Sequence, residues 1–300
     1  MADRQIAILD APSNLGLRPP LPGAVPGCYK MPWALRDRGL LASLGARDAG
    51  ALVPPRYRAE WQPGEGDRNA EAIASFSLAL ADRVGAIIDG GQFALVLGGE
   101  CSILVGNALA LQRRGRYGLV YMDAHSDFRH PDNDVAIGAA GGEALAIMTG
   151  RGDQRLVNLD GQGPYIRERD MVAVGFRPED DCRDELAALG ILGINSDELL
   201  LRGTEDVARQ ITERVTAETQ GFWVHLDWDV VDSSEMSAVD CPEPGGPSFQ
   251  QVAALLGALV ASPACVGLEL TIYDPDLDPT GQQADAIVAC LRQAFASFLA

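Results

Sequence analysis

The sequence of 300 residues contains a single lysine, Lys30, and its net charge of −18 reflects a large excess of acidic side chains. Binding to the phosphate backbone of a nucleic acid needs clustered lysine and arginine, so the composition argues against a nucleic-acid partner. A negative field favours cationic molecules, but the charge of a whole chain reports mainly on solubility. The charge therefore excludes one class of partner without identifying another.

Long apolar runs are also lacking. No stretch of about 18 consecutive apolar residues could span a membrane, and the first residues have neither the basic nor the apolar region of a signal peptide. We therefore expect a cytoplasmic protein without a membrane partner. The cysteines form no C-x-x-C pair and no tight framework, which predicts reduced thiols rather than a disulfide scaffold.

No internal repeat, low-complexity tract or linker divides the chain, so we expect one domain over residues 1–300. Short apolar runs alternate with segments of helical periodicity. The runs that we interpret as strands occupy residues 6–9, 93–97, 117–122, 171–176, 191–192, 222–226 and 266–270. This alternation predicts an α/β fold of three layers, in which helices cover both faces of a mainly parallel sheet of about eight strands.

The segment D-A-H-S-D at residues 123–127 follows a predicted strand and contains three candidate metal ligands. In an extended segment alternate side chains share a face, so Asp123, His125 and Asp127 are expected to point the same way. Two carboxylates and an imidazole suit a divalent cation such as Mn²⁺, Fe²⁺ or Zn²⁺. The alternative is a set of polar residues where a strand enters a surface loop.

A second acidic segment changes the balance between these interpretations. Asp227 and Asp229 also alternate on one face directly after a predicted strand. Carboxylates packed together repel one another and are unfavourable to desolvate, so a cation between them is the simplest explanation. Five ligands are more than one ion usually takes from a protein, and carboxylates can bridge. The sequence therefore predicts two divalent metal ions.

In these motifs and in their order, the chain resembles the ureohydrolases, the family of arginase and agmatinase. The corresponding segments are G-G-E-C at residues 98–101, D-A-H-S-D at 123–127 and L-D-W-D at 226–229. Residues 15–23 and the pair Gly245-Gly246 add weaker likenesses. The resemblance covers nearly the whole chain. It implies an arginase-like fold, a binuclear manganese site and a homo-oligomer, either a trimer or a hexamer.

The resemblance also implies a set of metal ligands, with Asp123 and Asp227 bridging the two ions. The implied ligands are Asp123, His125, Asp127, Asp227 and Asp229. The position of the sixth ligand, usually a histidine, is Cys101. A thiolate there would shift the preference from Mn²⁺ towards Zn²⁺ or Fe²⁺. Alternatively, Cys101 is only a small apolar residue beside a strand end.

Two further positions depart from the family pattern. Gly141 occupies the position of the family histidine that is regarded as a proton shuttle. Ile272 occupies the position of the family glutamate that holds a guanidinium group. A branch similar to the hydroxyarginine amidinohydrolase of cycloserine biosynthesis shares the cysteine and the glycine, but it does not explain Ile272. We therefore expect a substrate other than arginine.

The predicted mechanism needs no nucleophilic side chain, because metal ions lower the pKa of a bound water and the resulting hydroxide attacks a trigonal C–N carbon. Asp127 would orient the hydroxide. His130 is the candidate general acid for the leaving amine, with a solvent-exposed loop histidine as the alternative. His225 has the strand parity of Asp227 and Asp229 but lies deeper, which favours a hydrogen-bonded role in the core.

The resemblance also suggests contacts with a small-molecule substrate. The loop that binds an α-carboxylate in arginase corresponds to the segment that contains Arg129, His130 and Asn133. Asp180 resembles an acid that binds an amine. Tyr273 lies near the position of the missing glutamate. Surface solvation is the alternative interpretation of each of these side chains.

The leading hypothesis is a metal-dependent hydrolase of C–N bonds in linear amidines, that is, amidino, guanidino or hydroxyguanidino compounds. One alternative is a protein of the same fold that binds a ligand without catalysis. It is suggested by the three departures from the family pattern, at Cys101, Gly141 and Ile272. A mononuclear metallohydrolase in which Cys101 is inert is the other. Metal content distinguishes the three hypotheses.

Overall fold

A computed structural model describes residues 4–134 and 136–299 of the chain. In these residues eight parallel strands form one sheet with the order β2-β1-β3-β8-β7-β4-β5-β6. The strands are β1 (Ile6–Ala11), β2 (Arg47–Ala51), β3 (Phe93–Gly98), β4 (Gly118–Met122), β5 (Met171–Val174), β6 (Leu192–Ile194), β7 (Phe222–Asp227) and β8 (Cys265–Thr271). The predicted α/β fold with a parallel sheet is confirmed.

Helices flank the sheet in two groups. One group connects α3, α4 and α5, and the other connects α1, α10, α9 and α8. The helices are α1 (Met31–Asp37), α2 (Leu40–Ser43), α3 (Ala70–Asp89), α4 (Leu104–Gln112), α5 (Ala144–Met148), α6 (Arg183–Leu189), α7 (Ser196–Arg202), α8 (Thr204–Thr216), α9 (Phe249–Val260) and α10 (Gln282–Ala294). None of these helices is both long and apolar enough to cross a membrane.

The burial of the strands explains why most of them could be predicted. Every residue of β1, β3, β4, β5 and β7 is buried, as expected for parallel strands that are covered on both faces. Strand β2 was not predicted. It lies at the edge of the sheet, and its sequence R-D-A-G-A is largely exposed, so it carries no apolar run.

Four neighbouring strands of the sheet end at the same edge. Strands β3, β8, β7 and β4 are adjacent in that order, and Asp227 at the end of β7 pairs with Thr271 at the end of β8. In parallel sheets, ligands bind beyond the carboxyl ends of the strands. The topology therefore brings together four chain segments that are distant in sequence.

A buried pair of acids, Glu143 and Asp67, lies beside Asp153 and Arg155. Burial and the neighbouring carboxylates raise the pKa of Glu143 from 4.5 to about 9, and burial raises the pKa of Asp67 from 3.8 to about 6. Asp153 is neutralised by Arg155, with Oδ1 accepting a hydrogen bond of 2.9 Å from the guanidinium Nε. The raised pKa of Glu143 therefore predicts that its carboxyl group keeps a proton at neutral pH.

We expect Glu143→Gln to stabilise the protein increasingly as the pH rises. The folded protein retains a proton that the unfolded chain releases above about pH 4.5, so the stabilisation by this pair is complete below that pH and is lost towards pH 9. At pH 8 the free energy of unfolding of the variant should exceed that of the parent by about 1 to 3 kcal/mol, measured by urea titration. The exposed Glu60→Gln should show no such trend. Equal pH dependence in the parent and in Glu143→Gln would contradict the raised pKa of Glu143.

Candidate metal centre

Cys101 lies just after β3, in a short turn that Glu100 holds in place. The Glu100 carboxylate accepts hydrogen bonds from the backbone N–H of Ser102, at 2.8 Å, and from the Ser13 hydroxyl, at 2.7 Å. Cys101 is buried, and its thiol lies 3.0 Å from Oδ2 of Asp227. The first of the predicted ligand positions therefore does contact the second acidic segment.

The segments after β4 and β7 are fixed by their own carboxylates. Asp123 Oδ1 accepts a hydrogen bond of 2.7 Å from the backbone N–H of His125, and Asp227 Oδ1 accepts one of 2.9 Å from that of Asp229. The backbone N–H of Ala124 donates to Asp229 Oδ1 at 3.1 Å, which joins the two segments. In each turn one carboxylate oxygen accepts a backbone hydrogen bond. The second oxygen of Asp227 contacts Cys101 and Thr271, and that of Asp123 has no partner among the described residues.

Two groups of metal-donor side chains meet at this edge of the sheet. The first donor group contains Cys101, Asp123, His225 and Asp227, and the second contains Asp123, His125 and Asp229. Within each group the donor atoms lie within 4.8 Å of one another. Asp123 belongs to both groups, and its buried Oδ2 has no hydrogen-bond partner among the described residues. This arrangement fits a pair of cations that share a bridging carboxylate.

The electrostatics of the centre also fit a cation. Burial and the charges of Asp229 and Asp127 raise the pKa of Asp123 well above its usual range, and burial with Asp229 and Asp123 does the same for Asp227. Burial lowers the pKa of His125, but hydrogen bonding to Asp123 and Asp229 outweighs it, so the net shift is upward. The buried carboxylates therefore repel one another, and a divalent ion would supply the positive charge that offsets this repulsion.

Asp127 lies beside the two donor groups and belongs to neither. Its backbone is left-handed, with φ of 44°, and its Oδ2 accepts a hydrogen bond of 2.5 Å from the Tyr121 hydroxyl. The side chain still lines the cleft above the centre. Its role as a metal ligand remains a prediction, and the other carboxylate oxygen is available to the cleft.

A cleft of about 950 Å³ opens above the two donor groups. Its lining includes further acidic side chains, contributed by Asp180, Asp181, Asp197, Asp240 and Glu243. Ile272 also lines it, with a left-handed φ of 75° and a backbone N–H that donates to Gly99 O at 2.6 Å. A β-branched residue rarely adopts that conformation, and such strain is concentrated at functional sites.

Of the predicted substrate contacts, Arg129 and Asp180 line the cleft, and both already have partners. The Arg129 guanidinium lies 2.5 Å from Asp181 Oδ1. Asp180 accepts hydrogen bonds of 2.8 Å from the backbone N–H and from the hydroxyl of Ser126. Asp180 therefore holds Ser126, which lies in the loop between His125 and Asp127, in place.

His130, Asn133 and Tyr273 are not among the residues that line the cleft in the described structure. His130 is buried, and its Nε2 lies 2.9 Å from Glu185 Oε1. The Asn133 amide donates to Glu185 Oε2 at 3.0 Å, and the Tyr273 hydroxyl donates to Asp278 Oδ2 at 3.0 Å. These positions give no support to a general-acid role for His130 or to substrate contacts by the other two.

Sequence reasoning missed two residues of the candidate site. His225 belongs to the first donor group, although only its strand parity with Asp227 indicated its direction. Asp240 reaches the cleft from a loop after β7 that no motif marks. Neither residue could have been assigned from spacing alone, because one lies below the strand end and the other lies in an irregular segment.

The eight-stranded parallel sheet flanked by helices is the α/β architecture of the ureohydrolase superfamily. The sequence model of the arginase family matches residues 29–296, so the chain belongs to the arginase family. It is an arginase-family hydrolase with two candidate metal-binding groups.

Individual relatives support this assignment over the full length of the chain. The chain is similar to an arginase of Bacillus caldovelox, with 26% identity over 97% of this chain and 98% of the relative. The solved native structure of an arginase from Bacillus caldovelox superposes with a TM-score of 0.87 at 25% identity, again over 97% and 98% of the two chains. Proclavaminate amidino hydrolase from Streptomyces clavuligerus shares the fold, with a TM-score of 0.74 at 21% identity over 99% and 92% of the two chains.

Proposed function

We propose that this protein is a metal-dependent hydrolase that cleaves C–N bonds in small amidino, guanidino or hydroxyguanidino compounds. The observation that carries the proposal is the convergence of two donor groups, linked by Asp123, on the floor of an acidic cleft. Unpaired carboxylates buried at such density are unfavourable without a cation. The arginase-family membership supports the reaction class.

The centre would hold two divalent cations through the side chains of the two donor groups. Asp123, which belongs to both groups, and Asp227 would be among the ligands. Mn²⁺ is the ion that the family resemblance suggests, and a Cys101 thiolate would favour Zn²⁺ or Fe²⁺. When bound, such ions polarise the substrate and make water acidic enough to attack a trigonal carbon at neutral pH. Asp127, fixed through Oδ2 by Tyr121, would use its Oδ1 to accept a proton from the attacking water.

The lining of the cleft indicates a substrate with a positive charge but not ordinary arginine. Ile272 places an apolar side chain where the resemblance puts a guanidinium-binding glutamate, while Asp240 adds a carboxylate on another wall. Partial burial and the carboxylates of Asp229 and Asp274 raise the pKa of Asp240. A cationic amidine beside Asp240 would relieve this repulsion.

The metal requirement provides the test of the proposed function. Protein purified without added metal or chelator should contain close to two transition-metal ions per chain by elemental analysis. It should release ammonia or urea from members of a panel of paired cationic and neutral C–N compounds. Chelation should abolish this turnover, and reloading with Mn²⁺ or Zn²⁺ should restore it.

Each other result would select one of the rival hypotheses. Turnover that persists after complete metal removal would contradict the proposal. A single bound ion with turnover would favour a mononuclear metallohydrolase. The absence of bound metal, even after Mn²⁺ is supplied, would favour a ligand-binding protein of the same fold.

Two further expectations belong to this proposal. We propose that residues 1–300 act as one domain, because the strands that carry or precede the donor residues belong to one sheet. We also propose a homo-oligomer, trimeric or hexameric, acting in the cytoplasm on a small molecule. Light scattering of the purified protein would establish the oligomeric state.

A further inference from the structure

His225 lies in the middle of the sheet, in a row of side chains across three adjacent strands. The strand register pairs His225 of β7 with Tyr121 of β4 on one side and with Glu269 of β8 on the other. The imidazole is fully buried and stacks on the Tyr121 ring, with ring centroids 4.2 Å apart and an interplanar angle of 6°. The ring therefore has one fixed plane.

Glu269 also fixes which nitrogen of the ring carries the proton. Its Oε1 lies 2.5 Å from Nδ1 of His225, and its Oε2 accepts a hydrogen bond from the Asn107 amide. Because a carboxylate can only accept, Nδ1 donates and Nε2 keeps its lone pair. This is the arrangement in which metal-binding histidines are usually found, with the second ring nitrogen donating to a carboxylate.

Nε2 of His225 is buried and has no hydrogen-bond partner in the described part of the chain. A buried polar atom without a partner destabilises the folded state unless something else satisfies it. A ring nitrogen of His225 lies within 4.8 Å of the donor atoms of Cys101, Asp123 and Asp227. Asp123 Oδ2 is likewise buried and unpartnered, so one cation would satisfy both atoms.

We propose that Nε2 of His225 is a metal ligand in the first donor group, where it supplies from β7 the imidazole that position 101 lacks. This inference rests on the metal centre of the proposed function. The first donor group then offers one sulfur, one imidazole nitrogen and two carboxylates, a four-ligand set that suits Zn²⁺ better than Mn²⁺. The second donor group, without sulfur, accepts Mn²⁺ more readily, so the two sites differ in metal preference.

X-ray absorption spectroscopy of the zinc-loaded protein tests the proposal without any substitution. The chain contains three histidines, and His130 lies outside both donor groups, bonded to Glu185. Ligation by both His125 and His225 gives an average of one imidazole nitrogen per zinc ion when two ions are bound. An average of half that value would overturn the role of His225.

Substitution supplies an independent readout through metal binding. His225→Gln should bind one ion instead of two by elemental analysis, and calorimetry should show the lost site weakened by at least about a hundredfold. Glu269→Gln, which still accepts from Nδ1 but carries no charge, should weaken the same site by about tenfold. His130→Gln is the matched control and should bind metal like the parent. Circular dichroism and thermal unfolding in chelator would show that each variant folds.

The outcomes separate this inference from the proposed function. Two ions in both the parent and His225→Gln, with equal affinities, would overturn the role of His225 and leave the hydrolase proposal intact. If the parent binds one ion and His225→Gln binds it equally well, the role of His225 is also overturned. The positive charge in the first donor group would then come from a protonated imidazole instead of a cation. No metal in any of the proteins would contradict the metal centre and this inference together.

Discussion

Asp227→Asn is expected to abolish metal binding in the first donor group and to lower turnover by about a thousandfold or more. Asp227 ends β7, contacts the Cys101 thiol at 3.0 Å and would help to hold a cation in the first donor group. An amide has nearly the same shape and can still accept the hydrogen bond from the backbone N–H of Asp229. The substitution therefore removes the negative charge and keeps the turn. Elemental analysis of bound metal and an assay of turnover test both expectations.

The same substitution should have the opposite effect on the metal-free protein. Burial and repulsion by Asp229 and Asp123 make the Asp227 carboxylate unfavourable when no cation is present. Asp227→Asn in chelator should thus raise the free energy of unfolding by about 1 to 2 kcal/mol, measured by urea titration. A loss of stability in chelator would show that the carboxylate is structural and would contradict its assignment to the centre.

Asp232, the third acid of the same segment, provides the matched control. Hydrogen bonds from Ser234 and from the backbone of Gly245 lower the pKa of Asp232 to about 2, so its charge stabilises the loop. Asp232→Asn should retain both metal ions and lose stability with or without chelator. Loss of metal in this variant as well would mean that any change in the loop disturbs the centre.

Gly99→Ala is the second substitution with a large expected effect. A β-carbon at this position would overlap the backbone of Ser13, and the Gly99 carbonyl accepts the backbone N–H of Ile272 at 2.6 Å. Backbone atoms cannot move aside as a flexible side chain can. We expect a loss of about 3 kcal/mol or more in the free energy of unfolding, together with displacement of the turn that carries Cys101.

The comparison with Gly39→Ala separates steric overlap from backbone strain. Gly39 has a left-handed φ of 77°, and a β-carbon there would meet no atom within 4 Å. That substitution should therefore lower the free energy of unfolding by only about 1 kcal/mol, through conformational strain. Similar losses in the two variants, measured by urea titration, would show that the contact with Ser13 is not tight.

The strands illustrate how far sequence reasoning extends. Strands β1, β3, β4 and β7 could be predicted because burial on both faces requires a continuous apolar run, which is visible in one dimension. Strand β2 has no such run, because it is exposed at the sheet edge and owes its conformation to backbone pairing with β1. Helix α7 gives an equally weak signal in the sequence, since only Ser196 and Leu199 of its residues are buried.

The candidate centre was also predictable only in part from local sequence patterns. The local alternation of Asp123 with His125, and of Asp227 with Asp229, indicated two carboxylate-rich faces at strand ends, and the structure brings both segments into contact. The loop residues behaved differently. His130 follows the metal motif closely in sequence, yet its ring is turned towards Glu185, because a loop side chain takes its direction from whichever partner is near.

The sequence by itself determined the α/β class, the parallel sheet and the two acidic strand ends, because each of these is encoded in the periodicity and chemistry of neighbouring residues. Only the tertiary structure decided which side chains share a site. His225 joins Cys101 because β7 lies between β4 and β8, with Glu269 and Tyr121 at the same level of the sheet. Strand order and register are properties of the whole chain, and no local pattern in the sequence contains them.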